Sequence, residues 1–322
     1  MIGSDKVQKT NVKIKSRYNY TLGERIAKDW RKHKYLYIMS APILIYFILF
    51  KYLPMFGLAI AFKDYSIVKG VFGSEWVGLK YFKEFFSSIY FGRTMLNTLI
   101  ISAMDIVIGF PIPIIFALLL DSVRNKGLKK LTQTASYLPH FISTVVFCGI
   151  IKDFFSTDGL ISVLISTLGG ENISYIAEKS AFREIFVGTG IWQSFGWNSI
   201  IYLAALSGID ATLYEAAEID GANKWKQLLH VTLPGIANTI IIMLILRLGQ
   251  VLSIGYEKII LLYSPQTYEV ADVISSYTYR VGIMDGRYGY SAAVGMFQSV
   301  VNVIILFTAN KISSKYQGVS LF

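Results

Sequence analysis

The residues best placed to do chemistry in this 322-residue chain are polar and aromatic side chains set inside long apolar stretches. Trp192, Gln193, Trp197 and Asn198 form one group, with Gln193 and Trp197 four apart. Arg247, Gln250, Ile254 and Glu257 form a second at spacings of three, four and three, and Gln298 and Asn302 form a third, four apart. On helices, such spacings gather each group on one face. Polar side chains in hydrocarbon are costly unless they pair or line a wet cavity, so these are candidates for a substrate path. Rings flanked by amides suit a ligand with apolar C–H faces and many hydroxyls, as a sugar has. The plainer reading is that Gln and Asn bond adjacent helices and Trp marks a membrane interface.

Arg247 stands apart, because a cation near the middle of a membrane span costs roughly 2.5–3.5 kcal/mol. Asp105 lies at similar depth in another apolar stretch. Either the two form an intramembrane ion pair, the preferred reading, or Arg247 faces the path and attracts an acidic solute. Other chemistry finds little support. His33, His140 and His230 are scattered with no metal-ligand spacing, and Cys148 is the single cysteine. Neither a G-x-S-x-G elbow nor a Gly-Lys dipeptide is present, so no phosphate-cradling G-x-x-x-x-G-K-[ST] loop can form. No catalytic residue, metal or bound cofactor is expected.

These residues must be positioned by membrane helices. Hydrophobic residues make up 53% of the chain, charged ones 16%, and the mean hydropathy is +0.49, too apolar for an ordinary soluble domain of this length. Six stretches are long enough to span a bilayer: approximately 35–62, 95–120, 131–151, 185–206, 236–263 and 292–310. Pro42 and Pro54 in the first, and Pro111 and Pro113 in the second, should kink or locally open their helices. The first stretch contains Ala59-Ile60-Ala61, which resembles a signal-peptide cleavage site, but its apolar run is too long and we read it as a retained helix. The formal charge of +10 is concentrated before the first stretch, which argues against a nucleic-acid surface. There, Leu22, Ile26 and Trp30 share one face of an expected interfacial helix, with Arg25, Lys28, Arg31 and Lys32 elsewhere on it.

With the amino terminus inside, the inner connections hold eighteen Lys and Arg and the outer ones ten, so both termini are placed in the cytoplasm. The expected domains are a basic segment over 1–34, a membrane domain over 35–310 and a cytoplasmic tail over 311–322. Between the fourth and fifth stretches lies a cytoplasmic loop, about 207–235. In it Leu213, Ala217 and Gly221 recur at i, i+4 and i+8, offering a small-residue face that another protein could approach closely. Gly221 should end a first helix, a second short helix should carry Trp225, Leu228 and Leu229, and Pro234 should open the next span.

Glu215-Ala216-Ala217, then Gly221, then Val231-Thr232-Leu233-Pro234, closely resembles the EAA loop of binding-protein-dependent ABC importer permeases, with Val231 where the family usually has Ile. Further stretches, "WVGLKYF" with Asn97-Thr98-Leu99, "SYLPHFIS", "YEVADVISSYTYRVGI" and "YGYSAAVGMFQSVVN", look like the maltose-type carbohydrate permeases and most like their LplB-like oligosaccharide and polysaccharide branch. The resemblance implies an all-α integral membrane protein, a six-helix type I ABC importer permease of a bacterial plasma membrane. It implies that Glu215, Ala216, Ala217, Asp220 and Gly221 seat on an ATP-binding subunit. It also implies a second related permease, two ATP-binding subunits carrying ATP and Mg, and an extracellular solute-binding protein, with carbohydrate as cargo. A permease of the same architecture for another solute, or an integral membrane enzyme, are the alternatives.

Overall fold

The structure, a computed structural model, describes residues 22–321. Most of the expected basic segment lies outside the described residues, as do the side chains of Leu22, Arg25, Ile26 and Lys28 from the expected interfacial face. The chain divides into two compact units at Gly57 and Leu58.

In the first unit a helix over Leu22–Phe47 is broken at His33, whose φ of −121° and ψ of 21° are not helical. The break falls where the charged sequence gives way to the apolar one. Trp30, half exposed, stacks on Tyr37 across it at 5.4 Å.

Four helical runs are long and apolar enough to cross a membrane: Asp29–Phe62, Ile89–Ser122, Lys224–Leu248 and Tyr288–Lys315. Two further pairs qualify only as bent spans, Lys126–Phe141 with Thr144–Thr167 at 99°, and Phe182–Ser207 with Ala211–Ile219 at 67°. The expected single third span is therefore a sharp corner. Pro139 removes a backbone donor within the turn of 3-10 helix over Leu138–Phe141, and Ser143 restarts the chain as an N-cap, its Oγ accepting from the Val146 N–H at 3.4 Å.

The fifth span also departs from expectation. Its helix stops at Leu248 and a non-helical segment, 249–255, precedes a short helix over Tyr256–Leu262. Arg247, Gln250, Ile254 and Glu257 thus do not lie along one helix face. Exposed backbone in a span must find partners. Asn302 Oδ1 accepts from the Leu252 N–H at 3.0 Å, Gln298 and Ser102 donate to the carbonyls of Leu252 and Val251, and Ser275 donates to the Ile254 carbonyl at 2.6 Å.

Prolines explain three wide turns. A π-helical turn ends two residues before Pro54, Pro111 and Pro234, at Ile48–Tyr52, Asp105–Gly109 and Leu228–Thr232. A proline ring collides with the carbonyl four residues back and offers no N–H, and widening the preceding turn moves that carbonyl aside. Pro234 consequently lies inside a helix that continues from Lys224 rather than at its start.

Packing is closest where side chains vanish. A Cβ at Gly196 would lie 2.2 Å from the Ser136 carbonyl oxygen, so the helix Phe182–Ser207 can cross Lys126–Tyr137 backbone to side only through glycine. On another side of the bundle, Phe85 joins Tyr277, Tyr290 and Phe297 in an aromatic cluster. The final helix runs to Gln317, and Gly318, in the left-handed conformation at φ +66°, turns the chain back so that the Leu321 N–H reaches Asn310 Oδ1 at 2.8 Å. The expected tail is therefore a helix end with a hook. One departure from all-α structure is a two-residue hairpin pairing Lys63 with Trp76 and Asp64 with Glu75.

Candidate functional site

Two cavities of about 440 and 280 Å³ open between the second, fourth and fifth spans, and they share Asp105, Ser194, Arg247 and Gln250. Arg247 Nη2 donates to Asp105 Oδ2, and both side chains keep part of their surface open. Asp105 begins the π turn that Pro111 requires, and Gly109 at its end leaves the room the carboxylate occupies, since a Cβ there would come within 2.9 Å of Asp105 Oδ1. Arg247 is in the last turn of its helix, just before the break, with Gln250 in the break itself. The larger cavity adds Asn198, Tyr202 and Phe195; the smaller adds Gln193, Ser253 and Lys258. Charge, amide, hydroxyl and ring thus face one space, a surface able to hold a polyhydroxylated solute by many weak contacts.

The other expected path residues are elsewhere. Trp192 stacks on Phe147 at 5.6 Å and Trp197 on His140 at 4.6 Å, and neither lines the two cavities. Gln298 and Asn302 hold the broken segment's backbone, the helix-bonding role of the plainer reading. Glu257 is exposed outside both cavities, whereas its neighbour Lys258 points its ammonium at the Phe186 carbonyl, 2.7 Å away, and at Thr189 Oγ1, 3.1 Å away.

The loop below is rigid by construction. Asp210 caps the helix Ala211–Ile219 by accepting from the Thr212 N–H at 2.9 Å, a contact that holds its carboxyl below the usual carboxylate range. At the other end Gly221, at φ +74°, closes a Schellman turn, with the Ala222 N–H on the Ala217 carbonyl at 2.8 Å and its own N–H on Glu218 at 3.1 Å. Tyr214 OH meets Thr232 Oγ1 at 3.0 Å, and Lys224 Nζ bridges Glu218 and Gln227, fastening this helix to the start of the next. Leu213, Ala216, Ala217 and Asp220 form one wall of a groove of about 380 Å³, while the exposed Glu215 side chain makes no hydrogen bond among the described residues.

Residues 109–317, which carry this loop and most of the cavity wall, match the family described as binding-protein-dependent transport system inner membrane component. The chain belongs to that family. Among its relatives in Bacillus subtilis (strain 168), Protein LplB is 45% identical over 91% of this chain and 92% of its own length. The polygalacturonan/rhamnogalacturonan transport system permease protein YteP is 43% identical over 88% and 89%. A crystal structure of a bacterial ABC transporter involved in import of the acidic polysaccharide alginate contains a chain 41% identical to this one, with a TM-score of 0.84 over 91% of this chain and all of that one. A second structure, of a bacterial alginate ABC transporter in complex with an alginate pentasaccharide-bound periplasmic protein, matches at 40% identity and a TM-score of 0.85. This chain is accordingly a multi-pass membrane protein with the type I ABC importer permease fold.

Within this family member, sequence reasoning passed over Ser194, Tyr202 and Lys258 as wall residues. A signal for the first two was present: Val187, Ile191, Ser194, Asn198 and Tyr202 follow helical spacing of four, three, four and four, and that stripe is the face the cavities use. Lys258 was legible only as a lone cation in an apolar run.

Proposed function

We propose that this chain is the permease subunit of an ATP-driven importer that moves carbohydrate, in oligosaccharide form, through the space walled by Asp105, Arg247, Gln193, Asn198 and Gln250. The observation that carries the reading is one helix, Lys224–Leu248, which bears the loop's anchoring residues at one end and Arg247 at the other. ATP-binding subunits seat on Glu215, Ala216, Ala217, Asp220 and Gly221, and their closure drives the loop, which turns the cavity between inward- and outward-facing. ATP and Mg bind those subunits. The loop and both termini face the cytoplasm, an extracellular binding protein delivers the cargo, and a related permease completes the pore. The sugar assignment draws on relatives named for polysaccharide import.

The test replaces residues 211–222 by a glycine-serine tether in the reconstituted complex. Uptake of labelled oligosaccharide and stimulated ATP turnover should both fall to background. Retention of coupled uptake would overturn the reading.

A further inference from the structure

Two cations and one carboxylate line the joined cavities, and the carboxylate is already taken by Arg247. Lys258 has no anionic partner among the described residues. We propose that Lys258 is a specificity-determining residue that pairs with the carboxylate of an acidic, uronate-containing oligosaccharide; this rests on the carbohydrate reading and names the cargo's charge.

A half-buried ammonium loses hydration and needs charge or dipoles in return. Among the described residues it meets only neutral ones: the Phe186 carbonyl, the Thr189 hydroxyl and the faces of Phe186 and Phe147, whose centroids lie 4.6 and 5.5 Å from Nζ. Those two oxygens use two of its three N–H donors and leave one for a ligand. The fourth span is shaped around it, since a Cβ at Gly190 would come within 3.1 Å of Nζ. Gln193, Ser194, Gln250 and Ser253 line the same cavity with amides and hydroxyls suited to sugar hydroxyls. Arg247, by contrast, is neutralised, so the net positive charge of the space is the charge of Lys258. A solute whose rings each carry a carboxylate gains there what a neutral sugar does not, because Coulomb attraction strengthens where water is excluded.

A lysine that merely ties Tyr256–Leu262 to the fourth span would treat all cargo alike, and this separates the roles. In the full transporter reconstituted in nanodiscs without binding protein, trigalacturonate and its neutral trimethyl ester are titrated by calorimetry. The wild type should favour the acid; Lys258→Met should cut that preference about tenfold and Lys258→Arg should keep it. Should Lys258→Met fail to assemble, Gly190→Ala, which crowds the ammonium but leaves the charge, should reduce the preference by a smaller factor. An acid-to-ester ratio unchanged in both variants overturns the role of Lys258 and leaves carbohydrate transport standing. A wild type that binds both glycans equally does the same. Failure of the wild type to bind either overturns both readings.

Discussion

Replacing Asn302 by leucine, its near-isostere, tests how the broken fifth span is held. Asn302 is nine-tenths buried, its Oδ1 accepts the Leu252 N–H at 3.0 Å, and its Nδ2 donates to Ser253 Oγ at 2.8 Å. Ser253 is exposed and can turn to water, so its loss matters little. Leu252 is 1% exposed, and its N–H would be orphaned. An unsatisfied buried donor costs about 1–3 kcal/mol. If the segment opens locally, that cost appears as hydrogen exchange about 5- to 150-fold faster over residues 249–255, with the distant helix Lys126–Tyr137 unaffected. Exchange by mass spectrometry on the solubilised complex reads both regions. Equal rates in wild type and variant would refute the claim that side chains of the sixth span stand in for the missing helical bonds.

Other expectations follow from the same geometry. Gly221→Ala must hold a side chain at φ +74°, a strain of about 1–2 kcal/mol, and should weaken co-purification of ATP-binding subunits while Gly221→Asn is better tolerated. Asp105→Asn and Arg247→Met should each impair assembly by leaving one charge unpaired, and the double variant should recover it, as measured by the yield of intact complex. Phe85→Ala removes a ring that is 1% exposed from the aromatic cluster and should cost about 3–5 kcal/mol, read as a lowered thermal midpoint. The hydrogen bond from Lys179 holds the Glu269 carboxyl below its ordinary value of 4.5, so that contact is present at neutral pH and is lost as pH falls from there through the depressed value. Exchange over 268–272 should rise in that acid range in wild type, and Glu269→Gln should show the raised exchange already at neutral pH.

The apolar stretches and the loop could be read from sequence because each rests on local pattern: apolar length for the helices, and the spacing of Leu213, Ala217 and Gly221 for the loop. The breaks could not. Residues 249–255 include Val251, Leu252 and Ile254 and look like continuing helix, and what opens them lies some fifty residues away in Gln298 and Asn302. Gly249 and Gly255, bracketing the segment, were the available hint. Likewise, helical spacing tells which residues share a face but not what the face meets. Gln193 reaches a cavity, whereas Trp197, one turn on, finds His140. The Asp105–Arg247 contact was accessible because an opposite charge at equal depth is an effective way to relieve a charge in a span.

The helix Lys224–Leu248 has 25 residues and, at 1.5 Å each, reaches about 37 Å. Under the proposed mechanism this length matters more than any single contact. Its first turns are pinned to the loop helix Ala211–Ile219 by the Tyr214–Thr232 and Lys224–Glu218 bonds, so a push on Glu215 or Ala216 would move the helix end as one body. Arg247 at the far end then carries the motion into the cavity wall. A helix that continued to Tyr263 would drag Lys258 with it and keep the wall's shape fixed. The break at 249–255, held by tight backbone turns and by side chains from other spans, lets Arg247 shift while Lys258 stays fastened to Phe186 and Thr189 on the fourth span. Loop movement is thereby converted into a change in the distance between the paired and the unpaired cation, which is what a cavity that must grip and then release its cargo requires.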